Sequence, residues 1–300
     1  HMPFRMADTI SGLADEPGNP NALIQSNGYN NKEVSLLKAG DKDSEGNAIM
    51  HSFWAPEIHE IDGRLTILFM AGYGNTWSNG KSVYMQLKQD ADGHDLDPAD
   101  PDNWTVPTPI YRNDASLLNG NKQLAATASG GVGMSLDMTY FQDADGRSYY
   151  AWQQLGATYI ATMDPKDPAH VTSSPVRIVT PEYAWNAAIA EGPNVTLRDG
   201  KLYLMFSGSG VGKTYTTGLA VADASGTDLT DPASWTVLNY PIQKSGPFNG
   251  EMQLGTGHGM WSEDEDGNQI YVFHAYATKN LGSVNAAGRD MFVRRVHWAA

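Results

Sequence analysis

The 300-residue chain sets 34 Asp and Glu against 20 Lys and Arg, a formal charge of -14, so phosphate backbones and anionic membrane surfaces would repel it. It has no cysteine, which excludes disulfides, a thiolate zinc site and a cysteine nucleophile. With 41% hydrophobic residues it can bury a sizeable core, as one large domain or two smaller ones, and apolar stretches such as 65–71 are too short to span a bilayer.

At the N-terminus His1 and Met2 read as a cloning remnant, so an export signal and some native residues are expected to have been removed. No signal peptide with a basic start and an apolar middle is found, which leaves secretion and a cytoplasmic location both open. Residues 3–6 and 33–37 are strand-like. Further along, short runs rich in β-formers occur at 65–71, 82–87, 148–153, 158–163, 202–207, 217–222 and 270–275, separated by Gly, Asp and Asn. Long stretches with apolar residues at helical spacing are scarce, so the chain reads as all-β.

One pattern recurs: a polar or acidic approach, a strand, an acidic-Gly turn, then an aromatic strand. Its turns are Asp62-Gly63, Asp145-Gly146, Asp199-Gly200 and Asp266-Gly267, tight hairpins in which glycine accepts a positive φ. A second repeat leads from Asp95-Leu96 to Trp104-Thr105-Val106, and from Asp228-Leu229 to Trp235-Thr236-Val237, as matching outer strands. Repeating units of roughly 50 to 80 residues, each one small antiparallel sheet, are what a β-propeller needs. A β-sandwich is the alternative, but it predicts no recurrence of polar residues at the start of each unit. The reading is a five-bladed propeller in one domain, 1–300. Residues 1–50 are the remnant of an incomplete first blade, and 51–298 supply the other blades, with 291–298 closing the ring beside it.

In a propeller the inner strands face a central channel, so polar residues that open successive units converge on one mouth. Four such openings stand out: Trp54-Ala55-Pro56-Glu57, Ser135-Leu136-Asp137, Ala190-Glu191-Gly192-Pro193 and Gly255-Thr256-Gly257-His258. This ordered set, with Asp143-x-Asp145-Gly146, resembles glycoside hydrolase family 43, the five-bladed arabinanase, arabinofuranosidase and β-xylosidase enzymes, over roughly 50–298.

The resemblance implies that Glu191 is the general acid and Asp137 the neighbour that tunes and orients it. A glycosidic oxygen leaves poorly unless protonated, and a nearby carboxylate keeps a Glu protonated near neutral pH. Each also has a plainer reading, Glu191 as a turn residue and Asp137 as a strand-end carboxylate. Trp54 would be the aromatic floor under the sugar, or else core packing that Phe53 could supply instead. Glu57, Ser135 and Arg289 would contact substrate. His258 would face a central calcium ion, mostly through water because calcium prefers oxygen ligands, or else be a satisfied core histidine. The family's general base belongs on an Asp-Pro segment ahead of Trp54, and no such segment is visible. Asp8 precedes Thr9-Ile-Ser-Gly-Leu13, which resembles the end of the family's first blade, and Asp15 lies beyond it. The opening strand is therefore read as absent, which invites completion by another copy of the chain.

Three other signals are set aside. Ser207-Gly-Ser-Gly-Val-Gly-Lys213-Thr214 nearly spells a P-loop, but Ser stands where Gly is required and a strand, not a helix, should follow. Asn103-Trp-Thr105 and Asn194-Val-Thr196 are sequons that arise often by chance. The eight histidines lack HExxH-type spacing. The implied activity is an inverting, exo-acting α-L-arabinofuranosidase on arabinose-containing plant saccharides, with β-xylosidase second. The rivals are a catalytically impaired carbohydrate-binding propeller and a protein-binding scaffold.

Overall fold

The computed structural model describes residues 1–14, 32–75, 79–118, 134–276 and 289–298. Its strands are β1 (Met2–Met6), β2 (Lys32–Leu37), β3 (Ile49–Ile61), β4 (Arg64–Tyr73), β5 (Gly80–Gln86), β6 (Thr108–Pro109), β7 (Tyr111–Arg112), β8 (Leu136–Gln142), β9 (Ser148–Gln154) and β10 (Ala157–Asp164). They continue with β11 (Asp167–Val171), β12 (Val176–Val179), β13 (Ala190–Arg198), β14 (Lys201–Gly208), β15 (Thr216–Asp223), β16 (Thr236–Val237), β17 (Gly246–Phe248), β18 (Glu251–Glu263), β19 (Gln269–Tyr276) and β20 (Asp290–Arg295). The expected strand runs fall inside these to within a residue, but of the matching outer strands expected at 104–106 and 235–237 only the second is found, as β16, and β6 lies beyond the first.

Four sheets follow one another along the chain: β3-β4-β5-β6; β8-β9-β10 with β11, β12 and β7 outside; β13-β14-β15-β16; and β17-β18-β19-β20. A smaller sheet, β1-β2, precedes them. Their stacking explains why the second strand of each unit reads as a continuous apolar run rather than an alternating one. Such a strand is covered on both faces, and each face feeds a different core. In β9, buried at every position, Tyr149 and Ala151 pack with Leu202, Leu204 and Phe206 of the next sheet, whereas Tyr150 and Trp152 pack with Ile61 and Leu68 of the preceding one. In β4, Ile67, Phe69 and Ala71 meet Met2, Leu36 and Leu37. Met205 of β14 turns the other way, toward Tyr271 and Phe273. Five sheets joined by four such cores form an all-β propeller whose first blade has the two strands β1 and β2 among the described residues.

The closing run behaves differently from expectation. Asp290–Arg295 pairs with β19 and completes the last sheet, and among the described strands β1 and β2 pair only with each other. The cause is aromatic: Phe292 stacks on Phe273 with centroids 5.7 Å apart, and Trp298 stacks on Trp261 at 5.8 Å. Beside the thin first blade, Met50 and Ile58 of β3 stand 46% and 52% exposed, and Pro56, Ile58 and Ile67 border a cavity of about 190 Å³ against Met2 to Arg5.

The acidic turns fall into two kinds. Asp62-Gly63 and Asp199-Gly200 both have positive φ at each residue, as a two-residue type I′ hairpin requires. The Asp143–Arg147 and Asp264–Asn268 connections are five-residue loops in which the first Asp accepts N–H bonds from the third and fifth residues. The Asp-Pro repeat is structural too: Asp100 and Asp231 cap short 3-10 turns, and Trp104 and Trp235 each donate from Nε1 to a carbonyl six residues back. The P-loop-like segment ends β14, and β15 follows it.

Candidate active site

Each inner strand carries the same irregularity at its channel-mouth end. Register slips between Trp54 and Glu57, Leu136 and Thr139, Glu191 and Asn194, and Gly257 and Met260. Inside each slip one residue is left-handed: Ala55 at φ 48, Asp137 at φ 58, Gly192 at φ 58 and His258 at φ 51. A bulge of this kind bends the strand and re-aims its side chains, at a cost of about 1 to 3 kcal/mol for each non-glycine residue held there. The four bulges occupy equivalent places in four blades, and three of them bring Asp137, Glu191 and His258 together.

Asp137 and Glu191 are buried and meet through backbone: the Gly192 N–H donates to Asp137 Oδ2 at 2.9 Å. Glycine suits this position twice over, by its φ and because an added Cβ would lie 3.3 Å from the His258 ring. Burial raises the Glu191 pKa to about 7, helped by the charge of Asp137 and opposed by a hydrogen bond from Tyr215, by His258 and by Arg289. Burial likewise lifts Asp137 to about 7, with Glu57 adding to the rise and the Gly192 N–H opposing it. The pair therefore retains a proton near neutrality, which is the state a proton donor needs.

His258 Nε2 lies 4.0 Å from Asp137 Oδ1 and is buried with no hydrogen-bond partner among the described residues; burial lowers its pKa, and the charges of Glu191 and Glu57 oppose that. Its ring stacks on His274 at 6.1 Å. His274, held neutral by burial and by Arg289 at a pKa of about 3, accepts from Arg289 Nη1 at 2.7 Å. Arg289 thus stands close enough to weigh on Glu191. For calcium, the donors here are one imidazole nitrogen and one carboxylate oxygen, far from the six to eight oxygens that ion takes. Among the described residues, the one cluster of three ligand side chains is Asp90, Asp92 and His94, exposed in a turn. A calcium ion at His258 would take most of its shell from water, as the sequence reading has it.

The remaining expected residues divide. Trp54 is 44% exposed, while its neighbour Phe53 stacks on Phe69, so packing falls to Phe53. Glu57 is buried with Oε2 engaged by His59 at 2.8 Å and by Asn194 Nδ2 at 3.1 Å. Ser135 is buried, and its Oγ accepts the Ser82 N–H at 2.9 Å, which makes it a strut between sheets. Asp8 is exposed two residues from Ile10, whose N–H reaches Glu265 in the turn at the far end of β18, away from the mouth. Asp15 lies outside the described residues. Sequence reading missed Tyr215, whose hydroxyl donates to Glu191 Oε1 at 2.6 Å, and Asn194, which joins Glu57 to the Trp261 N–H across the channel. Asn194 stands two residues after Glu191-Gly192 in the same motif, a signal that its sequon reading obscured.

A family model described as glycosyl hydrolases family 43 matches residues 27–300. An extracellular exo-α-(1→5)-L-arabinofuranosidase of Streptomyces avermitilis is 28% identical over 310 residues, covering 99% of this chain and 54% of that protein. An α-L-arabinofuranosidase 43 of Humicola insolens is 29% identical over 259 residues, covering 82% of this chain and 47% of its own length. The chain thus spans about half the length of these relatives. Among solved structures, an α-L-arabinofuranosidase from Lactobacillus brevis superposes with a TM-score of 0.65 at 25% identity, over 84% of this chain and 78% of that one.

Proposed function

Because the chain belongs to glycosyl hydrolases family 43, we propose that it is a glycosidase that releases terminal arabinofuranose from arabinose-containing plant saccharides, with Glu191 as proton donor and Asp137 as the group that keeps that donor protonated. The observation that carries the reading is the buried carboxyl pair, brought together from separate blades and lifted to pKa values of about 7. Glu191 gives its proton to the glycosidic oxygen as the bond to the anomeric carbon breaks, and the negative charge left on Glu191 is met by the Tyr215 hydroxyl and by Arg289. Trp54 offers the apolar face of a sugar a flat, half-exposed ring at the mouth. The names of the similar enzymes support arabinofuranose over xylose, and two of those names support an extracellular setting.

Inversion requires a second carboxyl roughly 6.5 to 9.5 Å from the first, with the attacking water between them. The second reading is a propeller that binds sugar and turns it over poorly. The two readings separate on aryl α-L-arabinofuranoside and aryl β-D-xyloside. The enzyme hydrolyses the first above background, loses that activity in Glu191→Gln, and releases the anomer of opposite configuration by NMR. The binder retains sugar affinity without turnover.

A further inference from the structure

One hydroxyl behind Glu191 is fixed in place against it. The Tyr215 O–H donates to Glu191 Oε1 at 2.6 Å. The ring that holds this hydroxyl cannot swing away: Tyr215 is 1% exposed, its ring stacks within 10° of parallel on His274 at 5.7 Å, and it lies over Gly257, where an added Cβ would come within 2.3 Å of it.

From this we infer that Tyr215 is a positioning residue for the acid: its caged hydroxyl fixes Oε1 of Glu191 as the acceptor oxygen and so assigns the transferable proton to Oε2. The inference rests on Glu191 being the proton donor. A protonated carboxyl has one oxygen that donates and one that chiefly accepts, and without a fixed donor either could take either role. Once the proton leaves Oε2, the bond to Oε1 becomes charge-assisted and strengthens, so it favours the transition state over the ground state. The charged and titratable groups facing Glu191 are Asp137, His258 and Arg289, besides Tyr215 itself. Burial and the neighbouring carboxyls push the Tyr215 hydroxyl well above its usual range, which keeps it a donor throughout.

The test is an isotope-edited infrared spectrum of the full chain at acid pH, in which the carbonyl stretch of protonated Glu191 is identified by its absence from Glu191→Gln. Tyr215→Phe should move that band to higher wavenumber, and 3-fluorotyrosine at position 215, a stronger donor, should move it to lower wavenumber. In turnover, Tyr215→Phe should lower kcat about tenfold or more with KM held, as expected for loss of a hydrogen bond that strengthens with charge. A band unmoved in Tyr215→Phe, or by 3-fluorotyrosine at position 215 should the first variant not fold, overturns the inference. Full hydrolysis by Glu191→Gln would instead overturn the assignment of the acid, whatever the band does.

Discussion

Replacing Glu191 by Gln should make the protein more stable at pH 8 while changing little below pH 5. The side chain keeps its shape and its oxygen for the Tyr215 hydroxyl, and loses only the ability to become charged. Glu191 titrates near pH 7 when folded against an ordinary value of 4.5, first because it is buried and then because Asp137 repels its charge. A group whose folded pKa is raised contributes stability that is complete below the unfolded pKa and is lost as pH rises through the folded one. For Glu191 that window runs from about pH 4.5 to 7, and the rise multiplied by about 1.4 kcal/mol per pH unit sets a ceiling of roughly 3 kcal/mol. Asp137 shares the proton with it, so about 2 kcal/mol is the expected gain. Urea unfolding of both proteins below pH 5 and at pH 8 measures it. Equal differences at the two pH values, or a variant less stable at pH 8, would refute the reasoning.

Asp137→Asn removes the charge that helps keep Glu191 protonated, so the alkaline limb of kcat/KM should move to lower pH; a limb that stays put contradicts the coupling. Trp54→Ala should weaken sugar binding roughly tenfold by titration calorimetry while leaving urea unfolding nearly unchanged, since the ring is 44% exposed. Phe206→Ala, at a position with no exposed surface in the core between the sheet of β8 to β12 and the sheet of β13 to β16, should cost about 3 to 5 kcal/mol in the same unfolding assay.

Much of the fold was legible because radial stacking leaves a mark on composition. A strand buried on both faces tends to read as an apolar run, and 67–71, 149–152 and 202–206 do so. The hairpins were legible because a residue pair with positive φ demands Asp-Gly or its like. The positions of Asp137, Glu191 and His258 followed from where inner strands begin. What composition cannot carry is the bulge that aims them: Asp137 and His258 adopt left-handed backbone despite their side chains, and only the pairing register reveals it. Tyr215 was equally hidden, since nothing in a stretch of Tyr and Thr ahead of a strand relates it to a carboxyl 24 residues earlier. Ser135 misled for the opposite reason, as its place in the motif suggested substrate and its hydroxyl serves Ser82. The C-terminal run was read from order along the chain, whereas Phe292 and Trp298 found aromatic partners in the last blade.

The central claim is that Glu191 protonates the leaving oxygen, and leaving-group dependence tests it most directly. A dinitrophenyl arabinofuranoside departs without protonation, whereas an arabinose disaccharide does not. Glu191→Gln should lose about a hundredfold or more of kcat/KM on the disaccharide and only a small part of it on the activated ether. An equal loss on both substrates, or none on either, would contradict the claim.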